Sequence, residues 1–153
     1  MLGVLLILTG SMTVRAEDGA KMVLKFDNSS YEAGSIVTAQ IYIYNAEFNT
    51  AGFSLQYNTV RMEPVQTDNS SQLITIHNQY DENEGNGIFT VLSREVDKTD
   101  GTASAIFYVN PNAGTSTAAG SEGMLVGEIS FSMLETGKPD FLQGFLCNRQ
   151  AVE

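Results

Sequence analysis

Strict alternation of apolar and polar residues is the feature that most constrains how this chain folds. In residues 51–57 every second side chain is apolar, at Phe53, Leu55 and Tyr57. A period of two residues indicates a half-buried β-strand, because successive side chains along a strand point to opposite faces. Residues 37–44 alternate in the same way, and no stretch sustains the apolar period of a helix. The sequence therefore predicts an all-β domain, with a sandwich of two sheets as its architecture.

Turn residues separate further extended stretches along the rest of the chain. Clusters of Asp, Asn, Gly and Ser lie between these stretches, as is typical of turns. The segment DKTDG at residues 97–101 predicts a hairpin, and residues 111–123 predict a long loop of small residues. The predicted strands are residues 22–26, 37–44, 51–57, 62–65, 73–76, 88–92, 102–110 and 124–133.

Length and charge limit the classes of partner. A chain of 153 residues is long enough for one domain with a buried core. Its net charge is −10, with only eight Lys plus Arg. This balance argues against binding to nucleic acid or to an anionic membrane surface, because both need a basic footprint. The acidic excess suits a soluble, monomeric extracellular domain.

Residues 1–16 are the least globular part of the sequence. An apolar run at residues 2–8 is followed by small residues and ends at Ala16, which resembles the hydrophobic region and cleavage site of a signal peptide. The run is too short to span a membrane. Because no Lys or Arg precedes it, the charged beginning of the leader is expected to be incomplete. We predict a signal peptide over residues 1–16 and a single domain over residues 17–153; an ordinary N-terminal strand is the alternative.

Residues that commonly carry chemistry are few and scattered. Cys147 is the only cysteine, so no internal disulfide is expected, and with His77 alone it makes no zinc site. The acidic loop at residues 81–87 is similar to a calcium loop, but Leu92 stands where the bidentate Glu would be. We interpret it as a solvated loop. The sequence shows no Ser-His-Asp arrangement and no glycine-rich phosphate loop, which disfavours an enzyme.

Over residues 22–133 the order of features resembles the cohesin modules of bacterial cellulosomes. Residues 37–45 (VTAQIYIYN) are similar to the V-x-V-x-I strand of that family, which ends in Asn. Residues 55–58 (LQYN), followed by the pair Met62 and Glu63, resemble a strand closed by Tyr-Asp, a short turn and an apolar residue before Glu. The order and spacing of these motifs carry the resemblance.

Two motifs in residues 123–131 also resemble cohesin modules. Residues 123–125 (GML) and 129–131 (ISF) resemble the late strand of the family, which opens with Gly and ends on alternating apolar residues. Alternation makes residues 124–133 the final strong strand of the prediction. Residues 139–153 resemble the family's last strand only poorly, so the C-terminus is expected to be truncated. The resemblance implies a nine-stranded jelly-roll β-sandwich.

A function is implied by the same resemblance. Cohesins bind dockerin modules and so attach enzymes to a scaffold, without doing chemistry themselves. The dockerin carries the calcium, so no metal or other cofactor is expected on this chain. The implied partners are dockerin-bearing enzymes or scaffoldins, with no nucleic acid and no membrane span after signal cleavage. A secreted or cell-surface monomer is expected.

The resemblance further implies that one sheet face binds the dockerin. Strand phase selects the outward side chains, and an exposed patch of Ile, Tyr, Met and Val suits the centre of an interface. A covering loop or a one-residue slip in register is the competing interpretation. Thr50 and Gly52 stand where well-studied enzyme-binding cohesins place Asn and Asp, which indicates a divergent, more apolar specificity class. The predicted dockerin-binding residues are Thr50, Gly52, Ser54, Gln56, Ser104, Ile106, Tyr108, Met124, Val126 and Glu128.

A pair of tyrosines favours a different function. Tyr42 and Tyr44 are two positions apart on a predicted strand, so both point outward on the opposite sheet. Such a pair is able to stack on sugar rings, as in a carbohydrate-binding module of related fold. The chain has no Trp, which such platforms favour, and cross-strand packing of the two rings is the simpler interpretation. A structural adhesin-type sandwich is the third candidate.

Overall fold

A computed structural model describes residues 4–8, 11–15, 19–66 and 72–148, with side chains in 19–66 and 72–145. Within these ranges the chain forms thirteen β-strands. They are β1 (Val4–Leu8), β2 (Ser11–Arg15), β3 (Lys21–Lys25), β4 (Ile36–Tyr44), β5 (Ala46–Phe48), β6 (Thr50–Tyr57), β7 (Met62–Val65), β8 (Ile74–Ile76), β9 (Phe89–Asp97), β10 (Thr102–Val109), β11 (Thr117–Ala119), β12 (Met124–Met133) and β13 (Phe141–Asn148).

Two antiparallel sheets form the layers of the domain. The larger sheet has the strand order β1-β2-β3-β4-β12-β7, and β8 also pairs with β12. The smaller sheet has the order β13-β6-β10-β9, and β5 and β11 form a separate pair. The predicted all-β sandwich is confirmed. Short strands such as β5 and β8 bring the number in the described residues above the nine that the resemblance implied.

The core lies between the two sheets, where the apolar faces of the strands meet. The predicted inward faces of β4, β6 and β10 are fully buried, as period-two alternation requires. Phe89 packs against Phe48 and Phe107, with ring centroids 6.0 and 4.9 Å apart. The buried side chains of the three predicted faces are Val37, Ala39, Ile41, Ile43, Phe53, Leu55, Tyr57, Ala103, Ala105, Phe107 and Val109.

Strand β13 was absent from the sequence-based strand prediction. Its inward side chains are Phe141, Gln143 and Phe145, so a buried Gln interrupts the apolar alternation. The Gln143 Nε2 donates a hydrogen bond to the backbone carbonyl of Met22 on the other sheet, at 3.4 Å. Because β13 follows β12 and pairs along the whole of β6, the interpretation of residues 124–133 as the final strand is wrong.

Strands β1 and β2 lie within residues 1–16, the segment predicted to be a signal peptide. They pair with each other, and Met12 of β2 lies opposite Leu24 of β3. Cleavage is not a property of the fold, so the leader and the domain boundary at residue 17 stay predictions. No helix in the described part of the chain combines the length and the hydrophobicity of a membrane span.

Candidate functional site

The outer face of the smaller sheet brings most of the predicted binding residues together. Strand β6 lies between β13 and β10, and antiparallel register sets its side chains in rows with theirs. Ser54 pairs with Ser104 on one side and with Gly144 on the other. Gly52 lies opposite Ile106, and Thr50 opposite Tyr108. The residues of this face are Thr50, Gly52, Ser54, Gln56, Thr102, Ser104, Ile106, Tyr108, Leu142 and Gly144.

A depression of about 240 Å³ lies at the centre of this face. Its floor is built from small residues of three adjacent strands, with larger side chains at its sides. Ile106 stands at its side and is 37 % exposed. The lining residues are Gly52, Phe53, Ser54, Ser104, Ala105, Ile106, Gly144 and Phe145.

Two glycines determine the depth of the depression. A Cβ atom at Gly144 would lie 2.8 Å from the Ser54 Oγ, and a Cβ at Gly52 would lie 3.2 Å from the Cγ1 of Ile106. Ser54 therefore leans over Gly144, and Ile106 leans over Gly52. A side chain at Gly144 would displace Ser54, and a side chain at Gly52 would displace Ile106. The missing side chains are what leave the floor low.

The face carries apolar groups at its centre and charged groups at its β9 edge, where Lys98 lines the surface together with Glu95, Asp97 and Ser104. Leu142 on β13 is 40 % exposed, and Tyr108 is half-buried beside Ile106. Register places Glu95 and Asp97 of β9 in line with Ser104 and Thr102, at the edge of the face. The side chains of Glu95 and Asp97 are exposed. The surface therefore combines an apolar centre with a charged margin, in which Glu95 and Asp97 lie beside Arg94 and Lys98.

Solved structures with a similar backbone are cohesin modules. A mutant type II cohesin–X–dockerin complex from Acetivibrio cellulolyticus contains a chain that matches with a TM-score of 0.51 at 15 % identity, over 73 % of this chain and 70 % of that chain. Type II cohesin A11 from Bacteroides cellulosolvens matches at 0.51 and 17 %, over 73 % and 68 %. The cohesin module of a family 33 glycoside hydrolase from Clostridium perfringens matches at 0.51 and 14 %, over 84 % and 96 %. This chain has the cohesin fold.

The likeness is one of backbone. No protein-family model matches the sequence, and no curated protein is significantly similar to it. The predicted resemblance to cohesins is therefore confirmed in the fold, at identities where side chains have diverged.

The cohesin fold separates three of the ten predicted residues from the other seven. Met124, Val126 and Glu128 belong to β12, which lies in the larger sheet. Val126 is completely buried, and Met124 is partly buried against the core. The prediction that they share one exposed patch with Ile106 and Tyr108 is wrong, since the two strands lie in different layers of the sandwich.

A β-bulge explains why the phase of β12 was misread. Leu125 lies opposite Tyr42, but Gly127 lies opposite Ile41, so Val126 is an extra residue in the ladder. An extra residue reverses the alternation of a strand from that point onward. Val126 consequently points into the core and Leu125 is only partly buried, whereas uninterrupted alternation would have placed them the other way round.

Glu128 has a local partner on the larger sheet. Its Oε2 lies 3.3 Å from the Nε2 of His77, and the two form an ion pair when the imidazole is protonated. The His77 backbone N–H donates to the carbonyl of Val126, which holds the turn after β8 against β12. His77, predicted to be a surface or loop histidine, is half-buried in this turn.

The tyrosine pair of the alternative interpretation faces outward on the larger sheet, as predicted, but lysines cover its rings. The Nζ of Lys25 lies 4.2 Å from the centroid of the Tyr42 ring and 5.3 Å from that of Tyr44. The Nζ of Lys21 lies 5.2 Å from the Tyr44 centroid. A hydrogen bond with Tyr44 raises the pKa of Lys25, although desolvation opposes the shift. Cation–π contacts thus use the ring faces that a sugar would need.

The other side of Tyr44 is also occupied. A Cβ atom at Gly123 would lie 2.5 Å from the Tyr44 Cζ, so the ring rests directly on the backbone of that glycine. The two tyrosine rings themselves are tilted by 32°, with centroids 6.3 Å apart. A flat platform for sugar stacking is not formed by this arrangement.

Residues of β13 and β9 complete the face, and the sequence prediction missed them. Leu142 and Gly144 were missed because β13 itself was not predicted. Ser93 and Glu95 were missed because β9 was predicted to end at Leu92, where a bulge interrupts its alternation. The two apolar pairs around Gln143 and Gly144, FL and FL, are the one signal in the sequence that would have indicated a strand there.

Asp81, in the acidic loop that is similar to a calcium loop, is engaged in a turn. The Asp81 Oδ1 accepts hydrogen bonds from the backbone N–H groups of Asn83 and Glu84, which is Asx-turn geometry. Within the parts of the chain that the structure describes, no group of three or more His, Cys, Asp or Glu side chains could hold a metal ion.

Proposed function

We propose that this protein is a non-catalytic binding module for dockerins, and that the outer face of the smaller sheet is its binding site. The observation that carries the proposal is the exposed apolar depression at the centre of this face, in a domain with the cohesin fold. One of the similar structures is a cohesin–dockerin complex. The proposed contact residues are Thr50, Gly52, Ser54, Gln56, Thr102, Ser104, Ile106, Tyr108, Leu142 and Gly144.

The physical basis of binding is burial of the apolar centre. Ile106 and Leu142 are large side chains that remain 37 % and 40 % exposed, and covering apolar surface contributes about 25 cal/mol per Å². Tyr108 supplies an aromatic group of the kind that dominates interface energetics. Gln56 and Thr102 are exposed at one end of the face and provide polar contacts that orient the partner.

The proposed role is assembly. A dockerin-bearing enzyme or scaffoldin would attach through this face, and the domain would act outside the cell or at its surface as part of a complex that degrades polysaccharide. Calcium would be held by the dockerin, and the domain would need no cofactor of its own. The predicted signal peptide is consistent with this location.

Titration calorimetry of the full chain against a panel of dockerin modules tests the proposal. We expect at least one dockerin to bind in calcium and to lose binding in EDTA, because calcium folds the partner and not this domain. Cellulose and xylan pull-downs are run in parallel. Retention on polysaccharide together with silence towards every dockerin would contradict the proposal and favour the face of Tyr42 and Tyr44.

A further inference from the structure

We infer that the depression between β13, β6 and β10 receives one apolar side chain of the partner, and that a Lys or Arg of the same partner faces Glu95. The inference rests on the proposed function, because it takes a dockerin-bearing protein as the occupant of the face. It adds which chemistry the occupant must present, and it assigns Gly144 and Glu95 as residues that determine specificity.

Gly144, in the floor of the depression, limits the size of the partner group that can enter. With a Cβ at Gly144 only 2.8 Å from the Ser54 Oγ, even one added carbon forces the serine to move, and a larger side chain occupies the depression itself. The present volume of about 240 Å³ is room for one side chain, not for a loop or a helix. A partner that fits must therefore insert a single projecting group.

The lining selects an apolar group. The exposed surface of the depression is contributed mainly by carbon atoms of Ile106 and of the small residues around it, and the polar side chains present are the hydroxyls of Ser54 and Ser104. No described charged side chain lines it. A charged group entering this space would be desolvated without a counter-charge, which is costly. An aliphatic or methionine side chain has no charge to desolvate there, and burial of its apolar surface is favourable.

Charge complementarity determines which partner group lies opposite Glu95, next to the inserted side chain. Register places Gly144, Ser54, Ser104 and Glu95 in one row across the four strands. Since neighbouring strands are about 5 Å apart, Glu95 lies roughly 10 Å from the β6 position at the middle of the depression. Lys98 lies at the same edge and Asp97 accepts hydrogen bonds within its turn, so Glu95 is the exposed carboxylate in line with the depression. A cation on the partner at that spacing gains attraction, and an anion is repelled.

The experiment measures the affinity of the tightest-binding dockerin of the panel, in saturating calcium, for the full chain and for variants. Gly144→Val raises the floor with a residue that favours strands, and Ser104→Val does so from β10. We expect each to lower the affinity by about tenfold or more. Gly120→Ala is the matched control, because its Cβ meets no atom within 4 Å and lies away from this face. Thermal unfolding of each variant separates loss of binding from loss of fold.

The charge is tested with Glu95→Gln and Glu95→Lys. We expect the association rate to fall in that order, and the difference between the variants to shrink as salt is raised, since screening weakens exposed pairs. Glu82→Lys, a charge reversal at an exposed residue of a loop that lies outside the face, is expected to leave the rate unchanged.

The outcomes separate the inference from the proposed function. If no dockerin binds the unmodified chain, the proposed function fails and the inference fails with it. If a dockerin binds and the folded variants Gly144→Val and Ser104→Val bind equally well, the depression receives no side chain and the inference alone is overturned. Reduced affinity in both, with the control unchanged, supports it.

Discussion

The ring of Tyr57 meets the ring of Phe131 edge to face, with centroids 5.1 Å apart, and so joins the two sheets of the sandwich. Phe131 in turn contacts Phe141 at 5.2 Å, which brings β13 of the smaller sheet into the same cluster. Phe141 also stacks on Phe26 at 5.8 Å. Strands β6 and β13 carry the proposed binding face on their outer side, so this aromatic cluster supports the site from within.

Loss of the Phe131 ring should therefore weaken the whole domain. We expect Phe131→Ala to lower the free energy of unfolding by about 3–5 kcal/mol, because it removes a fully buried ring and leaves a cavity. Urea denaturation followed by circular dichroism gives the value. Val60→Ala, at a position 69 % exposed, should change it by less than about 0.5 kcal/mol. Equal effects of the two substitutions would contradict the description of the core.

Val126 tests the reassignment of β12. We expect Val126→Ala to destabilise the domain by roughly 2 kcal/mol, since its side chain is completely buried. Its dockerin affinity should stay unchanged at a temperature where the variant is folded. A lower affinity with normal stability would return Val126 to the binding face and refute the bulge.

Substitution of Tyr108, unlike that of Val126, is expected to weaken binding. Tyr108→Ala should weaken dockerin binding by more than about 1 kcal/mol if the ring is an interface anchor. Calorimetry supplies the affinity, and Tyr42→Ala on the other sheet is the matched control because it also removes a half-buried surface tyrosine. An unchanged affinity for Tyr108→Ala would exclude the residue from the site.

The hairpin between β9 and β10 depends on Gly101. This residue has a φ of +71°, and a Cβ atom there would lie 2.5 Å from the backbone oxygen of Tyr57. We expect Gly101→Ala to cost more than about 2 kcal/mol of stability, since left-handed strain and a backbone clash add together. Gly85→Ala carries similar strain at φ +65° but meets no atom within 4 Å. Thermal melts should therefore show a clearly smaller loss for Gly85→Ala.

Alkaline pH should destabilise the domain through buried tyrosines. Burial raises the pKa of Tyr57, and the carboxylates of Asp97 and Glu63 add to the shift. Burial and a hydrogen bond to Asp27 raise the pKa of Tyr31 in the same direction. A raised pKa means that the folded state favours the neutral phenol. The resulting stability is complete below the unfolded pKa of about 10 and is lost as the pH rises through the folded pKa.

Tyr57→Phe isolates this contribution. The variant keeps the ring that packs on Phe131 but has no proton to lose. Unfolding free energies at about pH 8 and pH 11 should fall less steeply for Tyr57→Phe than for the unmodified chain. Identical slopes would show that Tyr57 does not contribute to alkaline unfolding.

Alternation predicted the fold well wherever a strand kept one phase. Every inward residue predicted on β4, β6 and β10 is buried, because side-chain direction on a regular strand depends only on position parity. The prediction failed where parity is broken. The bulge at Val126 reversed the phase of β12, and the buried Gln143 hid β13. The bulge leaves no local mark in the sequence, since it depends on which strands become neighbours, whereas the FL pairs on either side of Gln143 and Gly144 were a weak signal of β13.

The candidate site was predicted only on strands whose alternation is regular. Its β6 and β10 residues follow from parity, and the pairing of these two strands puts Ser54 beside Ser104. Assigning β12 to that sheet required knowledge of long-range strand order, which alternation does not contain. The depression could not be predicted either, because it arises only when Gly144 of β13 is placed next to Ser54.

The bulge in β9 affects how neighbouring copies of the domain interact at high concentration. This strand is the last on its side of the smaller sheet, and the extra residue Leu92 kinks it between Val91 and Ser93. Charged side chains follow along the same margin, at Glu95 and Asp97. A bent and charged margin is a poor template for strand addition. Neighbouring copies of the domain held at high local concentration would therefore stay separate bodies and not merge through this edge into a continuous sheet.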